Sequence, residues 1–413
     1  MNRALLFGRI KKTRETFQKE GSLAVIILCL QTVQKKRKRH SHKIKSKFVF
    51  LAKQEDILAA RWSQEPYMPA KSHKAPPYTV NWVMSPPGKG AGGGHQNIFR
   101  FIAYLAEQGH TCNIYLYSAQ HFQPAKDAHE VFKKAYPNAK VTVQWLKGPM
   151  KPADAVFATG WETAYPVFND PGEARKFYFV QDFEPYFYPI GSEYALAENT
   201  YHMNFHGITA GPWLADKLSR EYGMACDYYN FGTDTNTYRF ENTKPRKQVF
   251  FYARPVTARR GFELGIMALQ LFHEQRPDYE IILAGWDVSD YSIPFPYKNL
   301  KTLSISELSP VYNRCAAGLV VSLTNMSLLP LELLASGVIP VVTDGPNNTM
   351  VSNNSYIKFA HASPDGLAQA LIETVDRKDL PAYAAEAAAS INELSWERSG
   401  QRFETILKEQ LNG

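Results

Sequence analysis

The chain has 413 residues, 45% of them hydrophobic and 21% charged, the balance of an ordinary globular protein, and its length is that of two domains rather than one core. Its four cysteines (Cys29, Cys112, Cys226, Cys315) stand far apart with no C-x-x-C pair, which argues against a disulfide framework and a cysteine-rich zinc site and points to a reducing cytoplasm. The net charge of +8 is unevenly spread: residues 1–75 hold 18 Lys and Arg against 5 Asp and Glu, so the remainder is mildly acidic.

Those first 75 residues read as a basic arm. Its apolar run "LAVIILCL" is far shorter than the roughly 20 residues that cross a bilayer, and no small-residue cleavage site follows it. The run "KKRKRHSHKIKSK" suits anionic lipid headgroups, with the apolar run lying in the interface. It equally suits a solvated basic helix pair packed on the body or on a partner. The first setting is slightly preferred and places a cytoplasmic protein peripherally on the inner face of the membrane. No aromatic-interleaved basic platform or finger spacing speaks for nucleic acid.

From residue 76 β-rich runs alternate with helical ones. The strand "YTVNWVM" leads to a helix in which Ile98, Phe101, Ile102 and Leu105 recur at helical spacing, and then come "CNIYLYS", "VTVQWL", "ADAVFATG", "KFYFVQD" and "GITAG". A polar, proline-containing break follows at "ENTKPRK", residues 241–247, after which the alternation restarts with "QVFFYARP", "YEIILAGW", "GLVVSL", "IPVVTD" and "YIKFA". This is the pattern of two successive α/β units with parallel sheets.

Between the first strand and its helix stands "SPPGKGAGGGHQNIF", where Gly88, Gly90 and Gly93 have dinucleotide-loop spacing. A nicotinamide site also needs an acidic residue near the end of the second strand, to take the ribose hydroxyls. Residues 108–126 contain neither Asp nor Glu. What the loop keeps is the ability of Gly92, Gly93 and Gly94 to let backbone amides at a helix start approach an anion. His95 beside them is either a functional group facing the cleft or a helix-start residue facing solvent.

The second unit carries "VVSLTNMSLLPLELLASGVIPVVTD", residues 320–344. A strand runs into a loop and a short helix, with Ser327 near its start, Pro330 in its first turn, Glu332 just beyond and Gly337 at its end. Glu332 there either receives ribose hydroxyls or complements the helix dipole. Upstream, "FFYARPVTARRGFELG" sets Arg254, Arg259 and Arg260 around a strand end.

These stretches resemble the nucleotide-sugar signature of retaining glycosyltransferases of family four, whose usual motif is two glutamates separated by seven residues. Glu332 matches the second glutamate and Thr324 takes the place of the first. Arg254 matches the first of two cations that meet the donor diphosphate, and Arg259 the second, with Arg260 as a rival. Together with "ATGWETAYPV", "FVQDFEPYFYPIGSEYALAENTY" and "GITAGPWLADKL", the whole pattern after residue 76 looks like the WsaF-type rhamnosyltransferases, a subgroup to which "SLTN" belongs.

The resemblance implies a GT-B fold, two facing Rossmann-like domains: an acceptor domain over residues 76–243, a donor domain over 244–388, and a C-terminal helix over 389–413 packing back toward the first domain. It further implies transfer of a hexose, L-rhamnose from dTDP-β-L-rhamnose, to a saccharide or lipid-linked saccharide acceptor in surface polysaccharide or glycan assembly. The nucleotide sugar is a co-substrate and no cofactor is expected. Anomeric configuration is retained. No D-x-D occurs in the chain, so no metal site is expected and the diphosphate falls to Arg254, Arg259, the amides around Ser327 and Leu328, and Gly93 and Gly94 from the opposing domain; Asn325 and Glu332 complete the donor-binding set. Asp182 and His95 are the candidate catalytic residues. Glu184, Tyr186 and Trp161 are candidates for the acceptor, since carboxylates take hydroxyl hydrogen bonds and rings stack on sugar C–H faces. Two other readings stand beside this one, a nicotinamide-dependent nucleotide-sugar epimerase or dehydrogenase and a non-catalytic sugar-binding scaffold.

Overall fold

The computed structural model describes residues 50–69, 74–88, 93–120 and 122–412; the apolar and basic runs of the arm, and glycine-loop residues 89–92, lie outside them. Seven parallel strands form the first sheet: β1 (Thr79–Met84), β2 (Thr111–Leu116), β3 (Val141–Trp145), β4 (Ala155–Ala158), β5 (Arg175–Val180), β6 (His206–Ala210) and β7 (Cys226–Tyr229), in the order β3-β2-β1-β4-β5-β6-β7. Helices cover both faces, so β1, β4 and β5 are apolar almost without alternation and almost wholly buried. Buried Lys176 on β5 donates to the Phe168 and Asp170 carbonyls, and the buried asparagines bond across strands. Asn81 on β1 accepts from Asn113 on β2 at 3.0 Å, and Asn113 accepts from Thr142 on β3 at 2.7 Å, which removes the cost of burying them.

The second sheet has six parallel strands: β8 (Gln248–Tyr252), β9 (Glu280–Ala284), β10 (Tyr297–Asn299), β11 (Cys315–Val320), β12 (Ile339–Thr343) and β13 (Lys358–Ala360), in the order β10-β9-β8-β11-β12-β13. The helix Phe262–Gln275 closes on this sheet because Gly265 has no side chain; a Cβ there would lie 2.1 Å from the Phe251 ring. In both sheets the strand order reverses beside the first strand, between β1 and β4 and between β8 and β11. The crevices of an α/β sheet open at such switch points, at the carboxyl ends of the strands.

The helix Trp396–Asn412 leaves the second unit and packs on the first. Phe403, fully buried, enters the aromatic core of Trp82, Phe101, Phe157 and Phe179. Polar contacts fix its register: His110 meets Glu404 at 3.3 Å, Arg402 meets Asp227 at 2.9 Å, and Arg175 donates to the Gln410 carbonyl at 2.5 Å. Among the described residues no helix is long and apolar enough to cross a membrane.

Candidate active site

The chain leaving β5 carries Gln181 and Asp182 directly against the loop that follows β11. Asp182, 8% exposed, accepts from Thr324 Oγ1 at 2.9 Å, from the Asn325 backbone N–H at 2.9 Å and from its own neighbour Phe183 N–H at 2.9 Å. Arg259 Nε lies 3.3 Å from Asp182 Oδ2, within ion-pair range but without hydrogen-bond alignment. Asn325 reaches back the other way, donating its amide to the Gln181 and Ala210 carbonyls. The loop itself is held by Thr343, Asn347 and Asn348, which bond to the Ser322 and Thr324 backbone and leave little freedom to Ser322–Asn325.

Three guanidinium groups converge on this point from the end of β8. Arg260 donates to Ser322 Oγ at 3.2 Å, Arg259 lies over the Phe187 ring at 4.0 Å, and Arg254 lies near the Trp286 and Tyr252 rings. Burial lowers the Arg260 pKa; the charge of Asp182 opposes this, while those of Arg259 and Arg254 add to it. Arg254 Nε is buried with no acceptor. Arg259 and Arg260 flank the Asp182 carboxylate and Arg254 stands beside them with a buried donor unused, an excess of positive charge that suits an anion of more than one charge.

Glu332 sits in the first turn of the helix Leu329–Ala335. Burial pushes its carboxyl pKa up to about 7, against the pull of the Arg100 charge and of hydrogen bonds with Tyr238 and Tyr312. Its neighbours thus come from the first domain, the interdomain segment and the end of the helix Ile305–Tyr312, a set that no local sequence pattern announces.

The first-domain candidates separate into exposed and buried groups. Gly93 and Gly94 are exposed at the start of the helix Gly93–Glu107, and a Cβ on Gly94 would lie 3.6 Å from Gln181 Nε2. His95 donates Nε2–H to the Ser85 carbonyl at 3.0 Å, and burial lowers its pKa, so the ring is neutral near pH 7. Tyr186 is 46% exposed on the rim, packed edge-on to Phe183. Trp161 is only 1% exposed, and its indole donates to Tyr188; it offers no open face for a sugar. Glu184 is buried too, accepting from the Trp161 N–H at 2.6 Å and from Tyr178. Burial first, and the neighbouring Glu162 charge second, hold the Glu184 carboxyl well above the usual range. Glu184 thus satisfies a free N–H at the start of the helix Trp161–Asn169. Ser327 and Leu328 are half-buried just before the helix Leu329–Ala335, where Leu328 is the cap without a side-chain bond.

Sequence reasoning missed Gln181, Arg100, Tyr238 and Tyr312. Gln181 lies beside Asp182 in "FVQDFEPYFYPIGSEY" and Arg100 in "GGGHQNIFRFIAYL", whereas Tyr238 and Tyr312 carry no local signal.

Residues 113–210 match the family model described as WsaF, N-terminal domain, and residues 247–372 match WsaF, C-terminal domain; together these cover more than half of the chain. Over 374 residues the chain is 32% identical to the O-antigen biosynthesis protein RfbC of Myxococcus xanthus, an alignment that takes in 87% of this chain and 29% of RfbC. The chain thus spans less than a third of that relative's length. Among solved structures it is similar to Anabaena HepE in complex with UDP and glucose, with a TM-score of 0.62 at 11% identity over 80% of this chain and 100% of the other. It is also similar to sucrose-phosphate synthase from Thermosynechococcus elongatus, with a TM-score of 0.60 at 13% identity over 80% and 98%. At such identities the likeness is one of fold, the GT-B arrangement of two Rossmann-like domains.

Proposed function

Because the chain belongs to the WsaF family of GT-B glycosyltransferases, we propose that it moves L-rhamnose from dTDP-β-L-rhamnose onto a saccharide acceptor during surface-polysaccharide assembly, with retention and without a metal ion. The observation that supports this reading is the clustering of Arg254, Arg259 and Arg260 after β8, with Arg259 and Arg260 beside the Asp182 carboxylate that follows β5. A departing nucleoside diphosphate is the anion that such a site stabilises, and fixed cations in a partly buried cleft act on it strongly. The RfbC likeness supports polysaccharide assembly as the setting.

In the proposed reaction the bond between the anomeric carbon and the phosphate oxygen breaks as the acceptor oxygen bonds to that carbon from the same face. The acceptor proton passes to the leaving phosphate oxygen. Arg254 and Arg259 hold the diphosphate, Arg260 supports them through Ser322, and Glu332 receives the ribose. The amides around Ser327 and Leu328 and the glycine loop at Gly93 and Gly94 add dipoles. Tyr186 on the rim meets the acceptor, and neutral His95 orients the loop after β1.

The test is thermal stabilisation by dTDP, UDP, GDP and NAD⁺, each without added metal. A ligand that binds only the folded state at 100 times its Kd stabilises by about 2.7 kcal/mol. Selective stabilisation by dTDP is expected, with loss of that effect in Arg254→Ala. Stabilisation by NAD⁺ alone would overturn the reading.

A further inference from the structure

Asp182 belongs to the acceptor domain, yet its carboxylate ends inside the donor loop. From Ser322 to Leu331 that loop contains no acidic residue, so its own side chains supply hydroxyls and amides only. The arginines beside it can donate but not accept. A hexose ring presents several O–H donors, and each one buried in the cleft requires an acceptor. Two acceptors stand here: the Asp182 carboxylate, and Asn325 Oδ1, which is buried and has no donor.

We propose that Asp182 recognises a hydroxyl of the donor's sugar ring, supplied from the acceptor domain across the cleft at the point where Thr324 stands. This rests on the glycosyltransferase reading above. The chemistry favours a hydroxyl over a phosphate oxygen. A hydroxyl both accepts and donates, so it can insert between Thr324 and Asp182, taking the Thr324 Oγ1–H and giving its own proton to Asp182 Oδ2, which now bond directly at 2.9 Å. A phosphate oxygen cannot donate and is repelled by the carboxylate. Asp182 thus marks the boundary between the anionic half of the donor, held by the arginines, and its sugar half. Because the carboxylate and the donor loop lie on opposite domains, the sugar completes its bonds only when the cleft is closed, whereas the cations that hold the diphosphate all lie on the second domain.

The experiment compares binding of dTDP with dTDP-β-L-rhamnose, and of UDP with UDP-glucose, by titration calorimetry on wild type, Asp182→Asn and the exchange variant Asp182→Thr/Thr324→Asp. Loss of a hydrogen bond to a charged group predicts nucleotide-sugar affinity about tenfold weaker in Asp182→Asn, with diphosphate affinity unchanged or tighter because Arg259 is released. The exchange variant, which moves the carboxylate to the other side of the same bond, recovers most of the sugar-dependent gain. Equal weakening of sugar nucleotide and diphosphate, or no change in either, overturns the assignment. If no nucleotide binds wild type, the donor reading itself fails and takes this inference with it, a result visible before any variant is compared.

Discussion

Asn325 donates its side-chain amide to the Ala210 carbonyl at 2.8 Å, joining the loop after β11 to the end of β6 across 115 residues of chain. The same amide reaches Gln181 at 3.1 Å, and the residue is 2% exposed. Removing the donor that serves these two carbonyls, the Ala210 one buried and the Gln181 one partly so, costs about 1–3 kcal/mol. Asn325→Ala is therefore expected to unfold at lower urea concentration than wild type. An unchanged midpoint would mean that these bonds are replaced by water at no cost.

Glu184 gives a second, separable expectation. Its carboxylate takes the Trp161 N–H and its burial leaves no open side toward the cleft. Glu184→Ala orphans that N–H and should lower stability by about 1–3 kcal/mol, while nucleoside diphosphate affinity, which the proposed site draws mainly from Arg254 and Arg259, stays within twofold. If instead stability holds and transfer to acceptor is what collapses, the carboxylate acts on substrate and its structural role is secondary.

These two residues show where local pattern reading stops. The strands were legible because buried parallel strands are continuous apolar runs, and the helix end at Gly337 because positive φ favours glycine. Arg254, Arg259 and Glu332 are singled out by the resemblance of their segments to the family's donor motifs, at one strand end and one helix start. Nothing local in "FVQDFEPYFYP" separates Asp182, which crosses to a loop 142 residues away, from Glu184, which turns inward two residues later. Likewise Trp161 reads as a sugar platform from composition, and only the packing of the helix Trp161–Asn169 on the first sheet hides its ring. Tertiary contacts at large sequence separation decide which carboxylate meets the cleft.

The C-terminal helix offers a steric test. A Cβ on Gly232 would lie 2.4 Å from the Trp396 backbone nitrogen and 2.6 Å from the Ser395 carbonyl carbon, and backbone cannot move aside as a flexible side chain can. Gly232→Ala should displace the start of the helix Trp396–Asn412 and cost about 1–3 kcal/mol, read by urea unfolding. Faster hydrogen exchange concentrated in residues 396–412 would identify the cause, whereas native exchange there would remove it.

Glu332 makes stability depend on pH with a defined sign. Its carboxyl titrates near 7 in the folded chain against an ordinary 4.5. Between those values the folded protein keeps a proton that the unfolded chain has released, so stability is highest below about pH 4.5 and falls as pH rises through 7. The full difference is at most about 3 kcal/mol, reduced by whatever solvent reaches the half-buried side chain. Glu332→Gln keeps the shape and a hydrogen-bonding oxygen for Tyr238 and Tyr312 but cannot ionise. Urea unfolding of both proteins at pH 5 and pH 8 should give similar stabilities at the lower pH and a more stable variant at the higher. Parallel behaviour at the two pH values would show that Arg100 fully compensates the charge, and that Glu332 is ionised throughout.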